Sequence, residues 1–390
     1  MKSNYKRIGN YIELVDERNK ELNIDLLLGL SISKQFIPSV ANTIGADMKN
    51  YKIIRKGQFA CSIMQVRRDG KMPVALLEDY EEAIISQAYP VFKVIDETKL
   101  LPEYLMMWFS RSEFDRQATF HAVGGVRGSL EWDDFLDFEL PIPSIEKQQE
   151  IVNEYNTITN RIALNEQLNQ KLEETAQALY KHWFVDFEFP NGEGKPYKSS
   201  GGAMVYNEEL DTEIPEGWDT DKIENIANLK YGKMLSSELF LDRGYPVYSG
   251  YGLRGYYDKY MYELPQILVI CRGVSGTGEV RMSPPYSYIT NLSIIVENQH
   301  ELTTKEYLYY YLKNDNLRSL DSGSAQSQIT TGDLGFYKIL MPNINIQYLF
   351  SDKISKIYSL MNIDKISKLK ELKGLLLAKM TKVEVEENMA

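Results

Sequence analysis

The 390-residue sequence repeats itself at long range, and this repeat limits the possible folds more than any other feature. The phrase ELPIPSIEKQQ, at residues 139–149, returns as KILMPNINIQ at residues 338–347. The spacing between matched residues shortens toward the C-terminus, as expected when two copies of one domain have acquired different small insertions. The sequence therefore predicts a duplicated fold. The matched residues, in chain order, are Tyr5 with Thr220, Gln58 with Gln266, Tyr104 with Tyr307, Gly124 with Gly323, Asp134 with Asp333, Pro143 with Pro342 and Gln148 with Gln347.

A long helix is predicted after each copy of the proline phrase. From Ile151 to Trp183 the apolar residues recur in steps of four and three, the pattern of a coiled-coil helix of about 40 residues. Two such helices can cover each other as an antiparallel pair, and two separate helical linkers to unrelated partners are the alternative. The polar seam residues Asn165 and Asn169 either fix the register or are tolerated beside solvent. The predicted interface consists of Ile151, Tyr155, Ile158, Ile162, Leu172, Leu179 and Trp183 in the first helix and Phe350, Ile354, Ile357 and Met361 in the second, whose seam then shifts.

Short apolar runs separated by turn-rich loops precede each long helix, which is typical of strands. The predicted fold class is α+β, with two duplicated globular domains separated by two long antiparallel coiled-coil helices. The predicted boundaries are 1–143 for the first globular domain, 144–189 for the central spacer helix, 190–343 for the second domain, and 344–390 for the C-terminal spacer helix and tail.

Composition and charge exclude several classes of protein. The chain is 43% hydrophobic but has no apolar run of the roughly 18 residues that span a bilayer, so we expect neither a membrane segment nor a signal peptide, and a cytoplasmic location. Cys61 and Cys271 lie inside apolar runs, which favours buried thiols. The net charge of −11 argues against a protein that coats nucleic acid unaided. Any DNA-binding role must therefore use local cations or those of a partner.

Few patterns indicate chemistry. The three histidines have no ligand-spaced partners, so no metal site is predicted, and no phosphate-binding glycine loop is present. Ser283–Tyr286 (SPPY) resembles the [NDS]-P-P-[YFW] tetrapeptide with which amino-methyltransferases hold a flipped base. The glycine-rich segment that would bind S-adenosylmethionine is missing from the sequence. A proline turn before a strand is the alternative interpretation.

Together, these features resemble a known family. The duplicated halves, the phrase LPIPSIEKQQEIV that opens the first long helix, ALYKHWFVDFEFPN that closes it, and IPEGWDTDKIENIANLKYGK that opens the second half are similar to the DNA specificity subunit of type I restriction-modification systems. The resemblance covers nearly the whole chain and is weaker in the second helix, where Asn345 and Ile346 precede the glutamine.

The resemblance implies a non-catalytic, sequence-specific subunit that acts in phage defence. Its two target-recognition domains would bind the two parts of a split, asymmetric site in double-stranded DNA. The helices would set the gap and dock two methyltransferase subunits, which two restriction or translocase subunits can join. The chain itself would hold no cofactor, because S-adenosylmethionine, ATP and Mg²⁺ would belong to the partner subunits. A self-contained DNA adenine methyltransferase, supported by SPPY alone, stays open as the second hypothesis.

Loop position and side-chain type indicate candidate DNA-binding residues. Arginine suits guanine and glutamine suits adenine, and phosphate contacts are at least as common as base contacts. The candidates in the first domain are Lys34, Gln35, Gln65, Arg67, Arg68, Lys71 and Arg127. Those in the second are Lys233, Ser249, Tyr251, Arg254, Tyr256, Arg272, Ser275, Thr277, Ser324, Gln326 and Gln328.

Overall fold

A computed structural model describes residues 5–39, 47–124, 128–273, 276–321 and 327–380. Contacts between residues divide the chain into two compact units. Unit 1 comprises Met1–Glu166 together with Asn362–Ala390, and unit 2 comprises Gln167–Met361. The division passes through both helical segments, so each unit combines one globular part with helix from two places in the sequence. The predicted domain boundaries, which follow the order of the elements along the chain, stay predictions.

The elements agree with the predicted α+β class, with short strands and short helices before each long helical segment. The strands are β1 Tyr5–Arg7, β2 Ile12–Val15, β3 Leu28–Leu30, β4 Phe36–Pro38, β5 Lys52–Arg55, β6 Phe59–Cys61, β7 Val74–Leu76, β8 Glu82–Ile85, β9 Val91–Val94, β10 Glu139–Pro141, β11 Met204–Asn207, β12 Thr212–Pro215, β13 Asp219–Lys222, β14 Ala227–Tyr231, β15 Tyr245–Ser249, β16 Gly252–Tyr257, β17 Ile267–Ile270, β18 Val280–Met282, β19 Tyr288–Ile289, β20 Ser293–Asn298 and β21 Lys338–Met341. The helices are α1 Val66–Asp69, α2 Pro102–Phe109, α3 Ser112–His121, α4 Trp132–Leu136, α5 Ile145–Tyr180, α6 Ile223–Ile226, α7 Lys305–Asn314, α8 Thr331–Gly335, α9 Ile344–Ser359 and α10 Ile363–Lys379.

The two units contain the same antiparallel sheet, which confirms the predicted duplication. Its strand order is β2-β9-β6-β7 in unit 1 and β14-β20-β17-β18 in unit 2. The central strands β6 and β17 are buried along their whole length, because each is a short run of apolar residues covered on both faces. A helix packs against each sheet: the rings of α2 lie in the core with Phe59 and Phe92, and those of α7 lie in the core with Ile267 and Val269.

A smaller strand pair repeats with its register intact. Tyr5 in β1 faces Pro141 in β10, and Thr220 in β13 faces Leu340 in β21. The hydroxyl of Tyr104 donates to the Pro141 carbonyl at 3.1 Å, as the hydroxyl of Tyr307 donates to the Leu340 carbonyl at 2.6 Å. The weak sequence matches therefore mark residues that have the same partners in the two copies.

The repeated glutamines explain why the proline phrase occurs twice. Gln148 and Gln347 are fully buried at the start of α5 and α9. Gln148 accepts from the Leu101 amide at 2.9 Å, and Gln347 accepts from the Thr304 amide at 3.0 Å; these amides belong to the residues that precede α2 and α7. Each glutamine also donates to the carbonyl of the proline five residues before it, at 2.9 Å. Each amide thus satisfies backbone groups that would otherwise be buried without partners.

The first long helix forms as predicted, whereas the second is interrupted. α5 runs unbroken from Ile145 to Tyr180 and ends in a single π-helical turn at Lys181–Val185. α9 ends at Ser359 and α10 begins at Ile363, with non-helical backbone at Asn362 (φ −107°, ψ 39°). The break coincides with the shift of the apolar seam, because a straight helix would turn the shifted residues away from their partner.

Within each unit, α5 pairs with a helix from the C-terminal segment. In unit 1, Ile158 and Ile162 pack against Leu369 and Leu376 of α10. In unit 2, the end of α5 packs against Phe350 and Ile354 of α9. Of the predicted interface residues, Ile151, Ile158, Ile162, Trp183, Phe350 and Ile354 are buried, and Tyr155, Leu172, Leu179, Ile357 and Met361 are half-buried.

Candidate nucleic-acid interface

Two loops predicted from side-chain type to bind DNA occupy equivalent positions in the two sheets. The loop that contains Gln65, Arg67, Arg68 and Lys71 joins β6 to β7, and the loop that runs from Arg272 to Thr277 joins β17 to β18. Because β6 and β17 have the same place in their sheets, these loops are the same connection in the two copies. The sequence alone did not show this equivalence.

A second loop is bonded to the first in the same way in each unit. The Leu130 amide donates to the Ile63 carbonyl at 2.9 Å in unit 1, and the Ile329 amide donates to the Cys271 carbonyl at 3.0 Å in unit 2. We call the two bonded loops of each unit its paired loops. In unit 1 they comprise residues 62–71 with residues 123–124 and 128–130, and in unit 2 residues 271–273 and 276–278 with residues 321 and 327–329. Four predicted DNA-binding residues, Arg127, Ser275, Ser324 and Gln326, lie outside the described residues.

The paired loops of unit 1 present cations to solvent. Arg67 is exposed and has no ion-pair partner among the residues that the structure describes. The backbone behind it is close to Gly128, where an added Cβ would lie 2.6 Å from the Arg67 Cβ, so a larger residue would force the two loops apart. The Arg68 guanidinium donates two hydrogen bonds to the Asp69 carboxylate, at 2.6 and 3.1 Å. This pairing lowers the pKa of the Asp69 carboxyl. Arg67 is therefore the more available of the two arginines for a guanine or a phosphate. Gln65 is half-buried, with left-handed backbone (φ 62°).

Lys34 and Gln35 lie outside the paired loops. The Lys34 ammonium is buried, forms an ion pair with Asp115 at 2.8 Å, and donates to the Phe109 carbonyl. Burial lowers the pKa of Lys34, although the hydrogen bond that its ammonium donates to Asp115 opposes this shift. Gln35 is exposed, and its carbonyl accepts from the Ser31 amide at 2.9 Å. Lys34 thus anchors its own loop, whose backbone at Lys34 is left-handed (φ 64°).

The paired loops of unit 2 rest on a tyrosine. The Tyr251 hydroxyl donates to the Arg272 carbonyl at 2.9 Å, while the Arg272 guanidinium lies 5.7 Å from the centre of the Tyr231 ring. Tyr231 was not predicted, and no motif marks it in the sequence. Ser249 and Thr277 are buried: the Ser249 hydroxyl accepts from the Tyr251 amide at 3.1 Å, and the Thr277 hydroxyl donates to the Gly273 carbonyl at 2.7 Å. They brace the loop, whereas Arg272 presents its guanidinium.

The remaining predicted residues of unit 2 differ in exposure. Lys233 and Arg254 are exposed, while Tyr256 in β16 is half-buried. Gln328 is half-buried, and its amide donates to the Asp321 carboxylate at 2.8 Å beside the bridge that joins it to Arg272. Of these residues, Gln328 belongs to the paired loops.

The segment Ser283–Tyr286 (SPPY) begins directly after β18 and has a structural role in the β17–β18 hairpin. The Ser283 hydroxyl is buried, accepts from the Gln266 amide at 2.9 Å and donates to the Pro284 carbonyl at 3.1 Å. Its hydrogen bonds thus fasten the β17–β18 hairpin, and none is directed at a cleft. Across the described ranges there is no group of three or more His, Cys, Asp or Glu residues placed to hold a metal ion. None of the helices in those ranges has the length and apolarity needed to cross a membrane.

Comparison with known proteins identifies the family. The family model of the type I restriction modification DNA specificity domain matches residues 49–174 and 215–373. The chain is 30% identical over 139 residues to the type I restriction enzyme MjaIX specificity subunit of Methanocaldococcus jannaschii, a match that covers 36% of this chain and 30% of that relative. It is 23% identical over 411 residues to the HindI specificity subunit of Haemophilus influenzae, with 86% of this chain and 88% of the relative covered.

A solved structure has the same fold. The type I restriction-modification S subunit from M. genitalium matches with a TM-score of 0.56 at 18% identity, over 96% of this chain and 95% of that one. The two segments that match the family model together cover more than half of the sequence. The chain therefore belongs to the type I restriction-modification DNA specificity family.

Proposed function

We propose that this specificity subunit reads a bipartite, asymmetric site in double-stranded DNA, with one part read by each unit. The observation that carries the proposal is the presence of equivalent paired loops with different side chains. Unit 1 presents Arg67 and Lys71, whereas unit 2 presents Arg272 on a tyrosine support. Because the two loop sets occupy one position in a duplicated fold, they can serve the same task. Because the other side chains of the two loop sets differ, the two parts of the site would differ in sequence.

Arg67 and Arg272 are the residues we expect to contact bases. An arginine that faces a guanine in the major groove forms two hydrogen bonds, and the loss of such a pair costs about 1–3 kcal/mol of discrimination. Neither guanidinium has an ion-pair partner among the described residues, so neither must give up a carboxylate before it binds DNA.

We also propose that the helical parts dock two methyltransferase subunits. Large apolar side chains exposed on a helix are typical of a surface that binds another protein. Unit 1 exposes Leu164 on α5 and Leu375 on α10, and unit 2 exposes Leu349 and Leu360 on the α9 segment. Exposed leucines on the helices of each unit would fit one partner copy per unit. Those partners would bring S-adenosylmethionine, and associated restriction subunits would bring ATP and Mg²⁺.

The partners would also supply positive charge. With a net charge of −11, the chain itself has too few cations to neutralise a long stretch of duplex. A DNA-binding complex would therefore depend on basic surfaces of the methyltransferase subunits.

A methylome by long-read sequencing tests this function. The chain would be expressed in a host without DNA methylation, alone and together with its candidate methyltransferase subunit. We expect a gapped, two-part methylated site only when both are present, and substitution of Arg67 by alanine should relax one part of that site while Arg272→Ala relaxes the other. Methylation by the chain alone would contradict a non-catalytic reader, and an ungapped site would contradict two reading units.

A second experiment tests whether the helices set the gap. A heptad inserted between Ile158 and Ile162 of α5, with a matching heptad between Leu369 and Leu376 of α10, adds roughly 10 Å of paired helix. The gap in the methylated site should then grow by about three base pairs, since one turn of the duplex is roughly 34 Å long. A control insertion of seven Gly and Ser residues in the exposed turn at 191–194 should leave the gap unchanged. A gap of the wild-type length in the heptad variant would contradict the proposal that the helices set the gap.

A further inference from the structure

An open cleft of about 850 Å³ lies entirely within unit 1, beside its paired loops. One wall is formed by the loop at 32–36 and by Lys71, and the other by α5 and α10. Four lysines line it: Lys34, Lys71, Lys370 and Lys373. We call it the lysine cleft.

Two of these lysines are already paired and two are not. Lys34 is neutralised by Asp115, and Lys370 forms an ion pair with Glu166 at 2.7 Å. Lys71 and Lys373 have no carboxylate at ion-pair distance among the described residues. Lys373 instead lies 4.6 Å from the centre of the Tyr155 ring, and its pKa is lowered by burial and by the nearby charge of Lys370. Lys71 and Lys373 are therefore the two cleft lysines that could bind an anion without first giving up a carboxylate.

Carboxylates restrict where that anion can bind. Glu78 and Asp79, in the turn between β7 and β8, also line the cleft. Burial, together with the charges of Glu103 and Asp79, raises the pKa of Glu78. These carboxylates disfavour an anion beside the turn, so Lys71 and Lys373, which have no ion pair among the described residues, are the expected contacts.

An unpaired hydroxyl lies in the same wall. Thr159 on α5 lines the cleft, and its Oγ1 is buried without a hydrogen-bond partner in the described part of the chain. A buried hydroxyl of this kind is uncommon and is unfavourable unless a water or ligand satisfies it. The wall that carries Lys373 thus has an unused polar group as well as an uncompensated charge.

The position of Lys71 indicates the source of the anion. Lys71 is the last residue of the paired loop that presents Arg67, so the cleft begins where the candidate base-reading loop ends. We propose that the lysine cleft binds phosphate groups of the target duplex next to the bases read by unit 1, with Lys71 and Lys373 as the phosphate contacts. The proposal rests on the DNA-reading function given above. It makes α10 a DNA-binding element in addition to a spacer.

The salt dependence of DNA binding tests whether Lys71 and Lys373 contact DNA phosphates. The full chain, assembled with its methyltransferase subunits, would be titrated against a duplex that carries the methylated site at several salt concentrations. Each lost phosphate contact lowers the slope of log K against log salt by about 0.9, so Lys71→Gln with Lys373→Gln should lower it by about 1.8. The affinity at 0.1 M salt should fall roughly 60-fold if the value extrapolated to 1 M is unchanged. The matched control, Lys365→Gln with Lys368→Gln, changes two exposed lysines of α10 outside the cleft and should keep the wild-type slope.

The outcomes separate the two proposals. An unchanged slope in the double variant, with tight binding by the wild type, would overturn the lysine cleft as a phosphate site and leave the reading function intact. A wild-type complex that does not bind DNA would contradict the reading function itself. A changed methylated sequence in the double variant would mean that these lysines read bases, which also overturns the proposal. A third arm measures binding of ATP to the chain by calorimetry: binding that the double variant loses, without a change in the DNA slope, would assign the cleft to a free nucleotide instead.

Discussion

Replacement of the buried glutamine Gln148 by alanine should strongly destabilise unit 1. Its side chain accepts from the Leu101 amide and donates to the Lys99 and Pro143 carbonyls, each at 2.9 Å. Alanine would leave three backbone groups unpaired in the interior, each at a cost of about 1–3 kcal/mol, together with a cavity. Because some of these groups can shift toward water, we expect a loss of about 3–5 kcal/mol in the free energy of unfolding.

Glutamate at the same position should give a loss that depends on pH. It could still accept from Leu101, but its second oxygen would face two carbonyls and could donate to one of them only when protonated. The pKa of this carboxyl would be higher in the folded state than in the unfolded chain. The added destabilisation of Gln148→Glu should therefore be absent below about pH 4 and grow as the pH rises above that value.

Hydrogen exchange with mass spectrometry in increasing urea measures these effects unit by unit. With a dependence on urea of about 2–3 kcal/mol per molar, Gln148→Ala should lower the unfolding midpoint of unit 1 by roughly 1–2.5 M. Peptides from unit 2 would report the matching loss for Gln347→Ala. The control is the neighbouring exposed Gln149→Ala, which should stay within about 0.5 kcal/mol of the wild type. The reasoning is refuted if Gln148→Ala and Gln149→Ala unfold at the same urea concentration.

Three further outcomes follow from single contacts. Tyr307→Phe removes the bond to the Leu340 carbonyl and should cost unit 2 about 1 kcal/mol in urea unfolding. Burial raises the thiol pKa of Cys61 and Cys271, so neither should react with a disulfide reagent until the chain unfolds, after which two thiols should be counted. Hydrogen bonds from Thr98, then Lys99, lower the pKa of Asp96 to about 2, below its unfolded value. The stabilisation that Asp96 contributes should therefore be present at neutral pH and be lost as the pH falls from about 4 toward 2, so the unfolding midpoints of the wild type and Asp96→Asn should converge in that range.

The duplication could be predicted from sequence because its signature residues make local, repeated contacts. Gln148 and Gln347 occupy the same position after a proline and satisfy the same backbone groups, so selection for one fold keeps the same letters in both copies. The apolar seam of α5 was visible for the same reason, because it follows one helical period over many turns. The only sign of the break at Asn362 in the sequence was the shift of the apolar positions after Met361. Such a shift alone does not distinguish a helix that ends from a continuous helix whose apolar face turns.

The environments of several candidate residues depend on distant parts of the chain. Lys34 lies in a polar stretch of sequence that resembles an exposed loop, but Asp115, some 80 positions further on, neutralises it in the interior. Ser249 and Thr277 look like typical loop residues, yet their hydroxyls are used within the protein. Lys373 belongs to a lysine-rich stretch that is typical of a solvated helix face. Only the fold brings it to the same cleft as Lys71. Pairings of this kind are non-local and leave no pattern along the chain.

The division of the helical segments between the units has a consequence for synthesis on the ribosome. Unit 2 is one continuous stretch, Gln167–Met361, so it can finish folding as soon as that stretch has emerged. Unit 1 begins to emerge first but lacks Leu369, Leu376 and Met380, which complete its helix pair and enter its core, until the last segment is made. The half of the protein that is translated first is therefore the half that closes last. Until then, the face of α5 that α10 will cover is open, which makes the nascent chain most vulnerable to aggregation after its second unit is already native.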